Sequence, residues 1–119
     1  MDIAEIGRRQ LTDALNGKMR QATVDEWRDD DGKKVVVYWR PLTGKEQKYI
    51  DGFENKVDQI CASVKKRVRD KSGRLVFADV PIESLVHDFD FQVLQAIAFL
   101  MLSGLGQDHS EQIEDIEKE

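Results

Sequence analysis

Residues 43–70 read TGKEQKYIDGFENKVDQICASVKKRVRD, and their apolar spacing decides the fold. Tyr49/Ile50, Phe53, Val57, Ile60/Cys61, Val64 and Val68 recur at steps of three and four. That period gathers side chains into one stripe of an α-helix. Thr43 stands three residues before Glu46. A threonine hydroxyl there accepts from a first-turn amide while the glutamate reaches back, which is a capping box. At the far end Lys65, Lys66, Arg67, Arg69 and Lys71 suit the negative end of the helix dipole, and Ser72-Gly73 breaks the helix. The pattern predicts one amphipathic helix over about 44–70, roughly 40 Å long at 1.5 Å per residue, as the spine of the domain.

On the N-terminal side the period changes to two. Val35, Val37 and Trp39 alternate with Val36, Tyr38 and Arg40, a β-branched and aromatic run that reads as a strand before Pro41. Ala22 to Arg28 alternates more weakly, with Val24 and Trp27, and Asp29-Asp30-Asp31-Gly32 supplies a turn with the positive φ a hairpin needs. The prediction is a hairpin at about 22–40. Two strands alone are marginal, so one face must pack on a helix, with Trp39 as its anchor. Residues 2–16 read as a short helix with a thin stripe (Ile3, Ile6, Gln10, Ala14, with Leu11 and Leu15 beside it) stopped by Asn16-Gly17.

On the C-terminal side Leu75-Val76-Phe77 is a short extended segment, and Asp79 before Val80-Pro81-Ile82-Glu83 marks a helix start. Ile82, Leu85 and Val86 form its apolar side, and it ends near His87. Asp88 or Asp90 caps a last helix that runs to Ser103, with Gly104 and Gly106 as terminators. At 100° per residue its polar stripe is Gln92, Gln95 and Ser103, interrupted by Phe99 and, at the edge, Leu102. A helix apolar almost all round is central in a core or covered from two sides. A domain this small can hardly surround it, so one side is expected to meet another chain, through Phe91, Leu94, Phe99 and Leu102. The fold class is mainly α: a small helical domain over 1–106 with a long central helix and an accessory β-hairpin, followed by an acidic tail at 107–119.

The chain has 119 residues, room for one domain, with 40% apolar and 34% charged residues, an ordinary globular composition. One cysteine, Cys61, rules out an internal disulfide and suits a reducing compartment. The opening MDIAEIGRRQ holds no continuous apolar region of the signal-peptide kind. The longest apolar run, Val93 to Leu102, is broken by Gln95 and is about half a bilayer-spanning length. A cytoplasmic protein with no membrane partner is expected. The net charge of −5 is uneven. Asp108, Glu111, Glu114, Asp115, Glu117 and Glu119 against Lys118 make the tail −5, which leaves seventeen charges of each sign in residues 1–106. Within that neutral body Lys65, Lys66, Arg67, Arg69, Lys71 and Arg74 surround only Asp70. A basic knob and an acidic tail speak to partners rather than to fold.

Catalytic chemistry finds no footing. His87 and His109 have no ligand-spaced partner, and Asp88 and Asp90 beside His87 read as an exposed turn. Cys61 lies on the apolar side of its helix and reads as a structural thiol. The Asp29–Asp31 cluster reads as a solvated hairpin tip, and no glycine-rich loop follows a strand. The sequence therefore predicts no enzyme, no metal and no cofactor. The basic cluster has three readings: a solvated helix end, a dock for an acidic protein segment such as the chain's own tail, or a phosphate-binding patch. A pI near 5.1 and the lack of interleaved aromatics count against nucleic acid.

The run Val35-Val-Val-Tyr-Trp-Arg-Pro-Leu-Thr-Gly-Lys-Glu46, the long helix, Ser72-Gly-Arg-Leu-Val-Phe77, Val80-Pro-Ile-Glu-Ser-Leu85 and Phe91-Gln-Val-Leu-Gln-Ala-Ile-Ala98 together resemble the tail assembly chaperones of long-tailed (siphovirus, lambdoid-type) bacteriophages. The resemblance covers roughly 33–104. It implies a small helical domain with an accessory β segment that coats the aggregation-prone tape measure protein before the tail tube polymerises. It also implies recruitment of tail tube protein by a frameshifted longer form, action in the host cytoplasm, and absence from the mature virion. On this reading the exposed side of the last helix is an apolar groove for an amphipathic helix, and the basic knob and acidic tail drive head-to-tail homo-oligomers. The competing expectations are a permanent tail or connector subunit and, less favoured, a small nucleic-acid-binding regulator.

Overall fold

A computed structural model describes residues 2–103. Among these residues it contains five helices and one two-stranded antiparallel sheet: α1 (Ile3–Asn16), β1 (Arg20–Arg28), β2 (Lys34–Trp39), α2 (Gly44–Asp51), α3 (Lys56–Arg67), α4 (Ile82–Asp88) and α5 (Phe91–Ser103). The fold is thus a mixed α+β domain. Gly104, Gly106, His109 and the acidic segment 107–119 lie outside the described residues.

The expected spine is two helices, not one. The capping box forms as its spacing predicts: the Glu46 amide donates to the Thr43 hydroxyl at 3.2 Å and the Thr43 amide to the Glu46 carboxylate at 3.0 Å. The chain then leaves α2 at Gly52, whose amide donates to the carbonyls of Lys48 and Tyr49. It restarts at Asn55, whose side chain accepts from the Asp58 amide at 2.8 Å and caps α3. Gln59 braces the link by donating to the Phe53 carbonyl at 2.8 Å. Glycine weakens a helix and asparagine offers amides an alternative acceptor, so the two together outweigh an unbroken apolar period.

The shorter α3 is the centre of the packing, in contact with α2, α4 and α5. It buries Cys61, Ala62, Val64 and Arg67. Around it a single apolar cluster gathers Val24, Val37 and Trp39 from the hairpin, Val68 and Phe77 from the following loop, Leu85 from α4, and Val93, Leu94, Ile97 and Met101 from α5. Trp39, 1% exposed, anchors the hairpin.

Within the hairpin Arg20 pairs with Trp39 and Val24 with Val35, but the next pair is Arg28 with Lys34. The intervening bulge turns Trp27 edge-on to Phe77 and Phe89, at ring separations of 6.2 and 6.3 Å. The outer edge of β2 is covered as well. Tyr38 and Arg69 exchange amide-to-carbonyl hydrogen bonds of 3.0 and 2.8 Å, which extends the hairpin by one bridge.

That extension ends in a second turn built like the first. In Arg28–Lys33 the Asp29 carboxylate accepts from the amides of Asp31 and Lys33, the Gly32 amide donates to the Asp29 carbonyl, and the Arg28 guanidinium donates to the Gly32 carbonyl. In Arg69–Arg74 the same roles fall to Asp70, Ser72, Arg74, Gly73 and Arg69. Both glycines take positive φ, 78° at Gly32 and 94° at Gly73.

Further along, Leu75–Phe77 is not a strand: Leu75 makes one bridge to Arg69, and Phe77 turns inward. Helix α4 begins at Ile82 after Pro81 without a side-chain cap, so Asp79 does not serve as one. Asp90, rather than Asp88, starts α5, its carboxylate accepting from the Gln92 amide at 2.9 Å. Among the described residues no helix is long and apolar enough to cross a membrane.

Candidate functional site

Helix α5 has a sharply divided surface. Val93, Leu94, Ile97 and Met101 recur at helical spacing and pack inward, leaving Phe99 61% and Leu102 72% exposed on the opposite side. The expected surface is thereby corrected. Leu94 is fully buried and takes no part in it, because 100° steps place it beside Ile97 rather than beside Phe99. Phe91 is half-buried and packs against the core cluster.

Phe99 and Leu102 instead form one rim of a groove of about 330 Å³ between α2, α3 and α5. Leu42, Ile50, Ile60 and Ala98 supply the rest of its apolar lining. Periodicity alone does not single these out, since Ile50 and Ile60 belong to the stripe that predicts burial. The break at Gly52 sets Ile50 of α2 and Ile60 of α3 on separate helices, and both line the groove. Lys56, Gln59 and Gln95 stand among the polar groups of the lining.

The basic knob does not exist as one surface. Lys65 turns inward, its ammonium donating to the carbonyls of Phe77, Ala78 and Val80 at 3.3, 2.9 and 2.6 Å and clamping the loop that follows α3. Arg67 is 4% exposed and donates from Nη2 to the Arg40 carbonyl at 3.0 Å. Its burial pulls the guanidinium pKa down, Glu46 opposes that shift, and Arg20 adds to it. Arg69 is spent on its turn. Lys66 lies over the Tyr49 ring at 5.1 Å, a cation–π contact. Lys71 and Arg74 are the exposed cations of the Asp70 turn. Loop carbonyls needed donors, and sequence proximity cannot show which cations the loop recruits.

A second cleft, of about 870 Å³, lies between α1 and the body. Ile6, Arg9, Asp13 and Ala14 of α1 face Arg20, Trp39, Arg67, Met101 and Leu102 across it, with Lys18 at the connecting loop. Helix α1 buries no residue. Its C-terminal end is tied down by the Arg40 guanidinium, which donates to the carbonyls of Leu15 and Gly17.

Cys61 is wholly buried, and desolvation first, then the Asp58 charge, raises its thiol pKa, the reverse of what a nucleophile needs. The Asp29 carboxylate is engaged by the amides of its own turn. Among the described residues no three His, Cys, Asp or Glu side chains cluster so as to hold a metal. No family model, characterised protein or solved structure matches this chain.

Proposed function

We propose that this protein acts by binding another polypeptide, without catalysis, and that it is a tail assembly chaperone whose groove between α2, α3 and α5 holds part of an amphipathic helix of the tape measure protein. The observation that carries the reading is the exposure of Phe99 and Leu102 beside an apolar groove. A large apolar side chain left in water forgoes about 1.5–3 kcal/mol that full burial would return, so two adjacent ones are a standing incentive for a partner. A groove that combines apolar side chains with polar groups suits an amphipathic helix that presents anchors at three- and four-residue spacing. The groove is what supports a helical partner. Its name rests on the resemblance of residues 33–104 alone.

The test is co-expression with a tape measure protein. Phe99→Asp and Leu102→Asp should keep the native circular dichroism spectrum, because both side chains face solvent, yet leave the tape measure protein in the insoluble fraction. If both variants fold and still hold it in solution, the groove reading fails. Mass spectrometry of purified particles decides between a transient chaperone, which should be missing, and a permanent tail or connector subunit, which should be present.

A further inference from the structure

Helix α1 buries none of its 14 residues, and Ile3 and Ile6 are 87% and 52% exposed. A helix of this length is marginal in water by itself, because most helical stability in proteins comes from packing an amphipathic face. Gly7 in its middle weakens it further. The apolar stripe of α1 is therefore a face that lacks cover. Its C-terminal end is held by the Arg40 guanidinium at the carbonyls of Leu15 and Gly17, which leaves Ile3 and Ile6 at the far end from that tether.

The stripe looks toward the groove. Ile6, Gln10 and Ala14 face Met101 and Leu102 across the 870 Å³ cleft, and Ile3 continues their line at three- and four-residue steps. Leu42, Arg67 and Leu102 line both this cleft and the α2–α3–α5 groove, so the two hollows are neighbours across one short wall. A helix seated in the groove would touch Phe99, Ile50 and Ile60 with one side and stand beside Leu102 with the next. We propose that α1 is the second wall of the partner site, a strap that closes about its Arg40 tether and lays Ile3 and Ile6 against the same amphipathic helix that the groove holds. The inference rests on the groove reading and adds a requirement to it. The partner helix needs an apolar arc broad enough to meet two surfaces, wider than the narrow seam of a coiled coil.

A full-length Ile3→Gln/Ile6→Gln variant tests this, because glutamine is a good helix former and both positions are exposed. It should keep the wild-type circular dichroism spectrum and thermal midpoint. Co-expressed with a tape measure protein, it should lower the soluble yield of that protein about fivefold or more. In the purified wild-type complex, amide exchange over residues 3–14 should slow about tenfold or more relative to the free protein. The strap is overturned, and the groove reading left standing, if the variant holds the tape measure protein at wild-type yield while Phe99→Asp releases it. Equal exchange over 3–14 in the complex and the free protein overturns it as well. Slowing that appears in the free protein as its concentration rises would assign the stripe to a second copy of the chain, against the proposal. If Phe99→Asp and Leu102→Asp also hold the tape measure protein, the groove reading falls and takes the strap with it.

Discussion

The pair of aspartates at 29 and 70 shows how one residue type shapes this molecule twice. Each carboxylate collects two amides of its own turn, and each turn closes on a glycine at positive φ. A Cβ at Gly32 would meet nothing within 4 Å, and one at Gly73 would meet only the Arg40 guanidinium at 3.6 Å. Backbone strain therefore sets the cost of either substitution. Gly32→Ala and Gly73→Ala should each lose about 1–2 kcal/mol and agree closely, read as matched shifts of the urea midpoint. Asp70 adds a pH signature. Hydrogen bonds from the Ser72 side chain and then the Arg74 backbone hold its carboxyl below the usual range. A depressed folded pKa means stability that is present above the unfolded value near about 3.9 and lost as pH falls through the folded one. Asp70→Asn should therefore lower the urea midpoint near neutrality and converge on wild type as the pH falls, which flattens the acid end of the stability profile. An unchanged acid limb would show that the turn carboxylate is not held low.

At the scale of elements, α5 offers the sharpest contrast, because two large apolar residues five positions apart have opposite surroundings. Leu94→Ala should cost about 2–5 kcal/mol, since it opens a cavity against α3. Phe99→Ala should stay within roughly 0.5 kcal/mol, as for an exposed site away from caps and cores. Thermal melts of the two variants check both figures, and similar losses would mean that Phe99 is covered within the monomer. From sequence, the helices were legible wherever cap and period agreed, as at Thr43–Glu46, and the hairpin wherever β-branched alternation met Asp-Gly. The expected α2–α3 continuity failed because hydrophobic period measures only which side is buried. Gly52 and Asn55 act through backbone hydrogen bonds, which leave that period intact. The exposed apolar face of α5 was half legible for a related reason. A near-uniformly apolar helix announces excess hydrophobic area, but which of Leu94 and Phe99 faces in depends on where α3 lies. The basic cluster misled because Lys65 and Arg67 answer loop carbonyls distant in sequence, and charge counting cannot see them.

For the molecule as a whole, the consequence is a graded stability. The core around α3 and α5 is knit by buried side chains, whereas α1 buries none and is held by the Arg40 guanidinium at the carbonyls of Leu15 and Gly17. Arg40 is in turn fixed from behind, its own carbonyl accepting from Arg67. A route of three groups thus links α3 to the N-terminal helix across the connection between β2 and α2. Regions with few buried contacts open at a free energy below that of global unfolding. Amides of 3–16 should therefore exchange faster than those of 61–68 and 93–101 in the native protein. Arg40→Ala removes hydrogen bonds from a charged donor, each worth about 1.5–3 kcal/mol. At 1.4 kcal/mol per decade, α1 exchange should accelerate about tenfold or more while core exchange changes little. Equal acceleration in both regions would mean that α1 and the core open together, and that Arg40 supports the whole fold.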